Sequence, residues 1–108
     1  MTDSLLVQLR KGVLDMCVLA LLAQRDGYAY DIASRLAHDI GMGEGTIYPL
    51  MRRLQVDGLV ETYMVESPSG PSRKYYRLTE AGKASFNSQK SAWTSFSGAV
   101  AGILGGVK

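Results

Sequence analysis

The sequence predicts a mainly α fold of the α+β kind, in which three helices precede a β-hairpin and one long helix closes the chain. Three observations carry this. Apolar residues recur at helical spacing up to about residue 57, the period then shortens to that of strands on either side of a Gly/Pro-rich loop, and a seven-residue apolar repeat runs on towards the C-terminus.

The first helix is expected over residues 5–24. Leu6, Leu9, Val13, Met16, Cys17, Ala20 and Leu21 form one stripe, which Leu14, Val18, Leu19 and Leu22 widen until the second half is apolar nearly all round. Asp26-Gly27 reads as the turn that ends it. A second helix is expected over residues 28–39, with Ile32, Leu36 and Ile40 inward, and Gly41 and Gly43 bracket the turn that follows. The third helix is expected over residues 44–57, carrying Ile47, Leu50, Met51 and Leu54 on one stripe and stopped by Gly58. Pro49 is tolerable only near a helix start, so this helix begins no earlier than about Gly43. Helix, glycine-containing turn and helix, each with one apolar face, is the helix-turn-helix pattern.

Residues 59–66 are rich in strand formers, residues 67–72 (Ser-Pro-Ser-Gly-Pro-Ser) read as a loop, and residues 73–78 read as the return strand. A hairpin directly after a helix-turn-helix is a wing. Thr79 and Glu80 then mark a helix start. Phe86, Trp93 and Val100 lie seven apart, as do Gln89, Phe96 and Ile103, which is an a/d repeat with one polar interruption. Such a helix has nothing of its own to pack on, and a partner copy is expected. The whole is therefore a winged helix-turn-helix with an added C-terminal dimerisation helix: residues 1–78 form the DNA-binding domain, and residues 79–108 form a helix packed with the first helix of the partner.

The 108 residues allow a single core, and 46% apolar with 20% charged residues is an ordinary globular balance that excludes disorder. The first residues lack the basic start of a secretory signal, and the longest apolar stretch contains Asp15 and is too short to span a bilayer. The single cysteine, Cys17, fits a reducing compartment and a place in the core, so a cytoplasmic location is expected. His38 has no second ligand at metal spacing. No nucleophile-base set, paired-acid motif or phosphate-cradling glycine loop occurs, so neither an enzyme nor a cofactor is expected. The tail of the last helix lacks the basic polar face of a membrane-surface helix, so no membrane partner is expected.

The net charge of +2 is too small to imply a nucleic-acid partner by itself, but its placement is informative. Arg52 and Arg53 are the only charges between residues 45 and 56, and Arg73, Lys74 and Arg77 are the only ones between residues 67 and 79. Winged-helix topology sets these two islands side by side. On the third helix, burial of the apolar stripe turns Gly45, Pro49, Arg52 and Val56 outward, with Thr46, Tyr48 and Arg53 on the flanks. Small residues let the backbone approach a duplex, while Thr46, Tyr48, Arg52 and Arg53 supply donors for base edges or phosphates. As a plainer alternative, Arg53 would bridge Asp57 one turn on. The candidate DNA-contacting set is Tyr30, Gly45, Thr46, Tyr48, Pro49, Arg52, Arg53, Ser72, Arg73 and Lys74. The candidate dimer interface is Leu6, Leu9, Phe86, Trp93, Phe96, Val100 and Ile103.

Gly45-Thr46-Ile47-Tyr48-Pro49-Leu50, Arg53-Leu54 and Asp57-Gly58-Leu59-Val60 resemble the recognition-helix signature of the PadR family of transcriptional regulators. Gly70 with Arg73-Lys74-Tyr75-Tyr76-Arg77-Leu78-Thr79 and Gly82 is similar to the family's wing and the start of its last helix, and Gly27-Tyr28 with Asp31-Ile32 is similar to the start of its second helix. The single C-terminal helix resembles the short subfamily. The resemblance implies a dimeric repressor on a palindromic double-stranded operator, with each recognition helix in a major groove. It also implies a planar, apolar small-molecule effector held between protomers near Trp93 and Phe96. Gly43-Glu44 departs from the family pattern, placing an acid near the phosphates. A winged-helix interaction scaffold without specific DNA binding is the alternative.

Overall fold

The computed structural model describes residues 2–107. In chain order the elements are α1 (Thr2–Lys11), α2 (Leu14–Gln24), β1 (Gly27–Tyr28), α3 (Ala29–Ile40), α4 (Glu44–Val56), β2 (Val60–Ser67), β3 (Gly70–Leu78) and α5 (Glu80–Leu104). This is the mainly helical, winged helix-turn-helix order expected from the sequence, with a three-stranded antiparallel sheet in the order β1-β3-β2.

The single first helix of the sequence reading is two helices. The Val13 N–H turns back to the Arg10 carbonyl at 3.0 Å, and the Cys17 N–H restarts the ladder on the Val13 carbonyl at 3.0 Å. Gly12 weakens the helix where the break falls. The two halves also have different duties: Val18, Leu19 and Leu22 of α2 are buried, whereas Leu5, Leu6 and Leu9 of α1 are exposed. An apolar spacing that continued across the break concealed it.

The helix ends before Asp26, and in place of a turn at Asp26-Gly27 the chain runs on extended, with Gly27 and Tyr28 pairing with Tyr76 and Tyr75 as a third strand. In α3, Ile32, Ala33 and Leu36 are buried, and Gly41 closes the helix in the left-handed conformation at φ 69°. Met42, in the turn, joins the core. In α4 the buried residues are Ile47, Leu50, Met51 and Leu54, the stripe read from the sequence. Gly58, at φ 77°, lets the Leu59 N–H reach back to the Leu54 carbonyl at 3.0 Å and so caps the helix.

The wing is longer and tighter than residues 67–72 as a loop would give. Only Pro68 and Ser69 form the turn, and Gly70 already pairs with Ser67. Pro71 enters a strand because the register shifts there. Ser67 faces Gly70 and Val65 faces Arg73, so Pro71 and Ser72 together oppose Glu66 in a bulge. A residue without an N–H is accommodated at such a position, where β1 does not extend alongside.

Val18, Leu19, Ile47, Met51, Leu54 and Val60 are the largest fully buried side chains, with Tyr76 and Leu78 of β3 closing the core beside them. α5 starts on this core. The Thr79 hydroxyl donates to the Gly58 carbonyl at 2.6 Å and accepts from the Gly82 N–H at 3.0 Å, which fixes the helix to the end of α4. Phe86 packs half-buried against the core of its own protomer. Past Phe86 the side chains of α5 are mostly exposed.

Candidate nucleic-acid interface

The core stripe of α4 decides which residues it offers. With Ile47, Leu50, Met51 and Leu54 held inside, Gly45, Thr46, Tyr48, Pro49, Arg52 and Val56 are exposed, and Val56 is bare at 80%. At Gly45 the space a Cβ would enter is open, so the backbone of the first turn can be approached closely. The N-cap is Gly43, which has no side chain to offer the first-turn N–H groups. Those of Glu44 and Gly45 remain open as donors at the positive end of the helix. Glu44 lies in that turn and sets a negative charge beside the donors. Pro49 has no N–H for the Gly45 carbonyl, so the ladder is interrupted one turn in.

Arg52 is exposed and has no ion pair among the described residues. Arg53, its neighbour, is bound. Its Nη2 and Nη1 donate to the two carboxylate oxygens of Asp15 at 2.8 and 3.1 Å, and this fork raises its already high pKa. Asp57, the partner the sequence suggested, stands 4.0 Å away.

On the wing, Arg73 lies over the Tyr28 ring, 4.8 Å from its centroid. Tyr28 is stacked on Tyr30 at 6.4 Å, and Tyr75 bridges Tyr28 to Tyr63 at 5.6 and 5.8 Å. Arg77 lies over Tyr63 at 5.0 Å and donates to Glu61 at 2.9 Å. The Tyr63 hydroxyl donates to Asp26 at 2.6 Å, which raises the phenol's pKa. The outer face of the sheet is therefore a run of aromatic rings and guanidinium groups from the start of α3 to the wing. Ser72, Arg73 and Lys74 are exposed, and Tyr30 is 58% exposed at the edge of the run. Arg77, the third cation of the wing island, is engaged with Glu61.

Two residues outside the sequence-based set stand against members of it. Tyr28 supports Arg73, a relation across distant residues that no local pattern announces. Lys11 lines a cleft of about 390 Å³ with Asp15, Thr46, Pro49 and Arg53, where the break between α1 and α2 opens beside α4.

A second region gathers apolar groups. Trp93, Phe96, Val100, Ile103 and Leu104 on α5, and Leu5, Leu6 and Leu9 on α1, are exposed. Trp93 and Phe96 border an open cleft of about 960 Å³ whose walls include Leu6, Leu9, Val13, Met16, Cys17 and Ile40. Cys17 lies at its floor, half-buried, and burial raises its thiol pKa. His38 is exposed and bonded to Asp39, and no metal-binding cluster occurs among the described residues. Nor is any helix among them long and apolar enough to cross a membrane.

The model of the transcriptional regulator PadR-like family matches residues 18–88. The chain belongs to this family. The PadR-like chain is 36% identical to a PadR-like transcriptional regulator from Bacillus cereus. That match covers 90% of this chain and 96% of the other, with a TM-score of 0.83. It is 31% identical over 87 residues to an uncharacterized protein of Lysinibacillus sphaericus, covering 77% of this chain and 80% of that one. The structure of Bacillus subtilis PadR in complex with operator DNA shares 26% identity. There the match covers 70% of this chain and 45% of the other, with a TM-score of 0.63. The matched segment of the family model, from α2 into the core-packed start of α5, contains both α4 and the wing.

Proposed function

We propose that this PadR-like regulator is a homodimeric repressor that binds a palindromic double-stranded operator and is released by a small-molecule signal. The observation that carries the reading is the division of α4. One face is fixed in the core by Ile47, Leu50, Met51 and Leu54, and the other presents Gly45, Thr46, Tyr48, Pro49 and Arg52 to solvent. Under this reading α4 enters the major groove, where Tyr48 and Arg52 read base edges and the open N–H groups of the first turn meet a phosphate. Ser72, Arg73 and Lys74 rest on the adjacent backbone or minor groove, with Tyr30 at the edge of the contact. That the Bacillus subtilis relative is found in complex with operator DNA supports a DNA-binding role for this chain.

The exposed apolar faces of α1 and of α5 beyond Phe86 support a dimer formed through Leu6, Leu9, Trp93, Phe96, Val100 and Ile103. A two-fold assembly implies a palindromic site. Trp93 and Phe96, on the wall of the larger cleft, would stack on a flat apolar effector, and such a dye should quench Trp93 fluorescence at micromolar concentration.

The test of the main reading is fluorescence anisotropy with the duplex upstream of the protein's own gene and with a scrambled duplex, each at two salt concentrations. Preference for the upstream duplex with salt-sensitive affinity is expected. Equal, salt-insensitive binding to both would overturn it. A size measurement in solution that gives a monomer at micromolar concentration would remove the dimer.

A further inference from the structure

Arg53 stands on the flank of α4 where a guanidinium could be extended to a phosphate, yet its fork is closed on Asp15 at 2.8 and 3.1 Å. The partner is itself fixed. Asp15 lies in the first turn of α2, where the helix favours a negative charge, and it is held in place by a helix whose Val18, Leu19 and Leu22 are buried. Asp57 stands 4.0 Å from Nη1 of the same guanidinium. A fork that is already bidentate has little to gain from exchanging one anion for another. If Arg53 did swing to a phosphate, the Asp15 carboxylate would be left facing the duplex. With the fork closed the pair brings no net positive charge to the DNA, and counterion release depends on the charge brought.

Resting on the DNA-binding reading above, we infer that Asp15 is a positioning residue that neutralises Arg53 and withholds it from the phosphate backbone. The groups of α4 left to meet DNA are the first-turn N–H groups, Thr46, Tyr48 and Arg52. The site thereby keeps its sequence-independent affinity low, because one cation that any duplex would attract is spent inside the protein. The fork also ties the flank of α4 to the first turn of α2, just past the Gly12 break, so it fixes the reading helix to the core rather than to its ligand. An arginine one residue away, Arg52, carries no such partner among the described residues, which gives adjacent cations opposite roles.

The test is the salt dependence of duplex binding for the wild type, Asp15→Asn and the double variant Asp15→Asn/Arg53→Gln, with operator and scrambled duplexes between 50 and 200 mM salt, about the range over which phosphate contacts are resolved. Asp15→Asn is expected to steepen the slope of log affinity against log salt by about 0.9 on both duplexes. It should tighten the scrambled duplex several-fold at the lower salt, so that discrimination falls. The double variant, which leaves neither charge behind, is expected to return to the wild-type slope. An unchanged slope in Asp15→Asn would overturn the inference. So would a double variant shallower than wild type by about 0.9, since Arg53 would then already be on a phosphate. A merely structural role would move melting temperature and not these slopes. If Asp15→Asn does not fold, the double variant alone decides. A wild type with no salt-dependent binding to any duplex would overturn the DNA-binding reading and the inference with it, a result read before any variant.

Discussion

Replacing Gly82 by alanine should destabilise this protein, although Gly→Ala inside a helix ordinarily stabilises by up to about 1 kcal/mol. Gly82 is buried where α5 crosses the start of β2, and a Cβ there would meet the Leu59 carbonyl oxygen at 2.0 Å and a Leu78 methyl at 3.2 Å. That carbonyl is not free to retreat, because it accepts the Thr79 N–H at 3.1 Å. Nor can α5 lift without straining the bond from the Gly82 N–H to the Thr79 hydroxyl at 3.0 Å. Overpacking of this kind costs about 1–3 kcal/mol, and a lost hydrogen bond about 1 more. Set against the full helical gain of alanine, the net loss is about 1–3 kcal/mol, or about 4–24 °C in melting temperature for a domain of this size. The control is Gly98→Ala in the same helix. There a Cβ meets nothing within 4 Å, and the position lies outside the seam of Trp93, Phe96 and Val100. It should stabilise by up to about 1 kcal/mol. Both are read by thermal denaturation at one fixed protein concentration, since association also shifts the midpoint. A Gly82→Ala protein that melts at or above the wild-type temperature would refute the packing argument.

Lys74→Ala should weaken all duplexes alike and reduce the magnitude of the salt slope by about 0.9, whereas Arg52→Ala should lower operator affinity more than scrambled-duplex affinity; anisotropy titrations separate the two. Tyr28→Phe should retain duplex affinity because the ring under Arg73 is kept, while Tyr28→Leu should lose about two- to fivefold, the worth of an exposed cation–π contact. Equal affinities for the two Tyr28 variants would show that the ring does not hold Arg73 for binding. Phe96→Glu and Ile103→Glu, at exposed positions of α5, should give monomers in a light-scattering mass measurement while the monomer keeps its helical circular dichroism.

The sequence made α4 readable because its apolar stripe is strict: four residues at three-and-four spacing all turn out buried, and the outward set follows by subtraction. The same strictness misled at α1 and α2. Periodicity records which faces are apolar and not whether the backbone continues, so Gly12 counted as one weak residue in a long helix. β1 has two residues, too few for any alternation, and exists only because Tyr75 and Tyr76 lie alongside. Pro71 argued against a strand by its missing N–H, and only the register shift at Glu66 shows why it is tolerated. At the site, the cations were legible and their states were not. A local pattern could offer Arg53 only Asp57, four residues on, whereas its carboxylate partner is 38 residues away on α2.

The last helix shows why spacing alone could not separate folding from association. Phe86, Trp93 and Val100 are equivalent in a seven-residue repeat, yet Phe86 packs on the core, Trp93 borders the open cleft beside α2, and Val100 is exposed. The first turns of α5 are locked to the end of α4 through Thr79, Gly58 and Gly82. In a dimer joined through the exposed remainder, α5 is one rigid helix running from the two-fold contact to the base of the recognition helix. Any ligand wedged at Trp93 and Phe96 would turn that lever. The separation of the two α4 helices, which must match the spacing of the operator half-sites, is the quantity it would change.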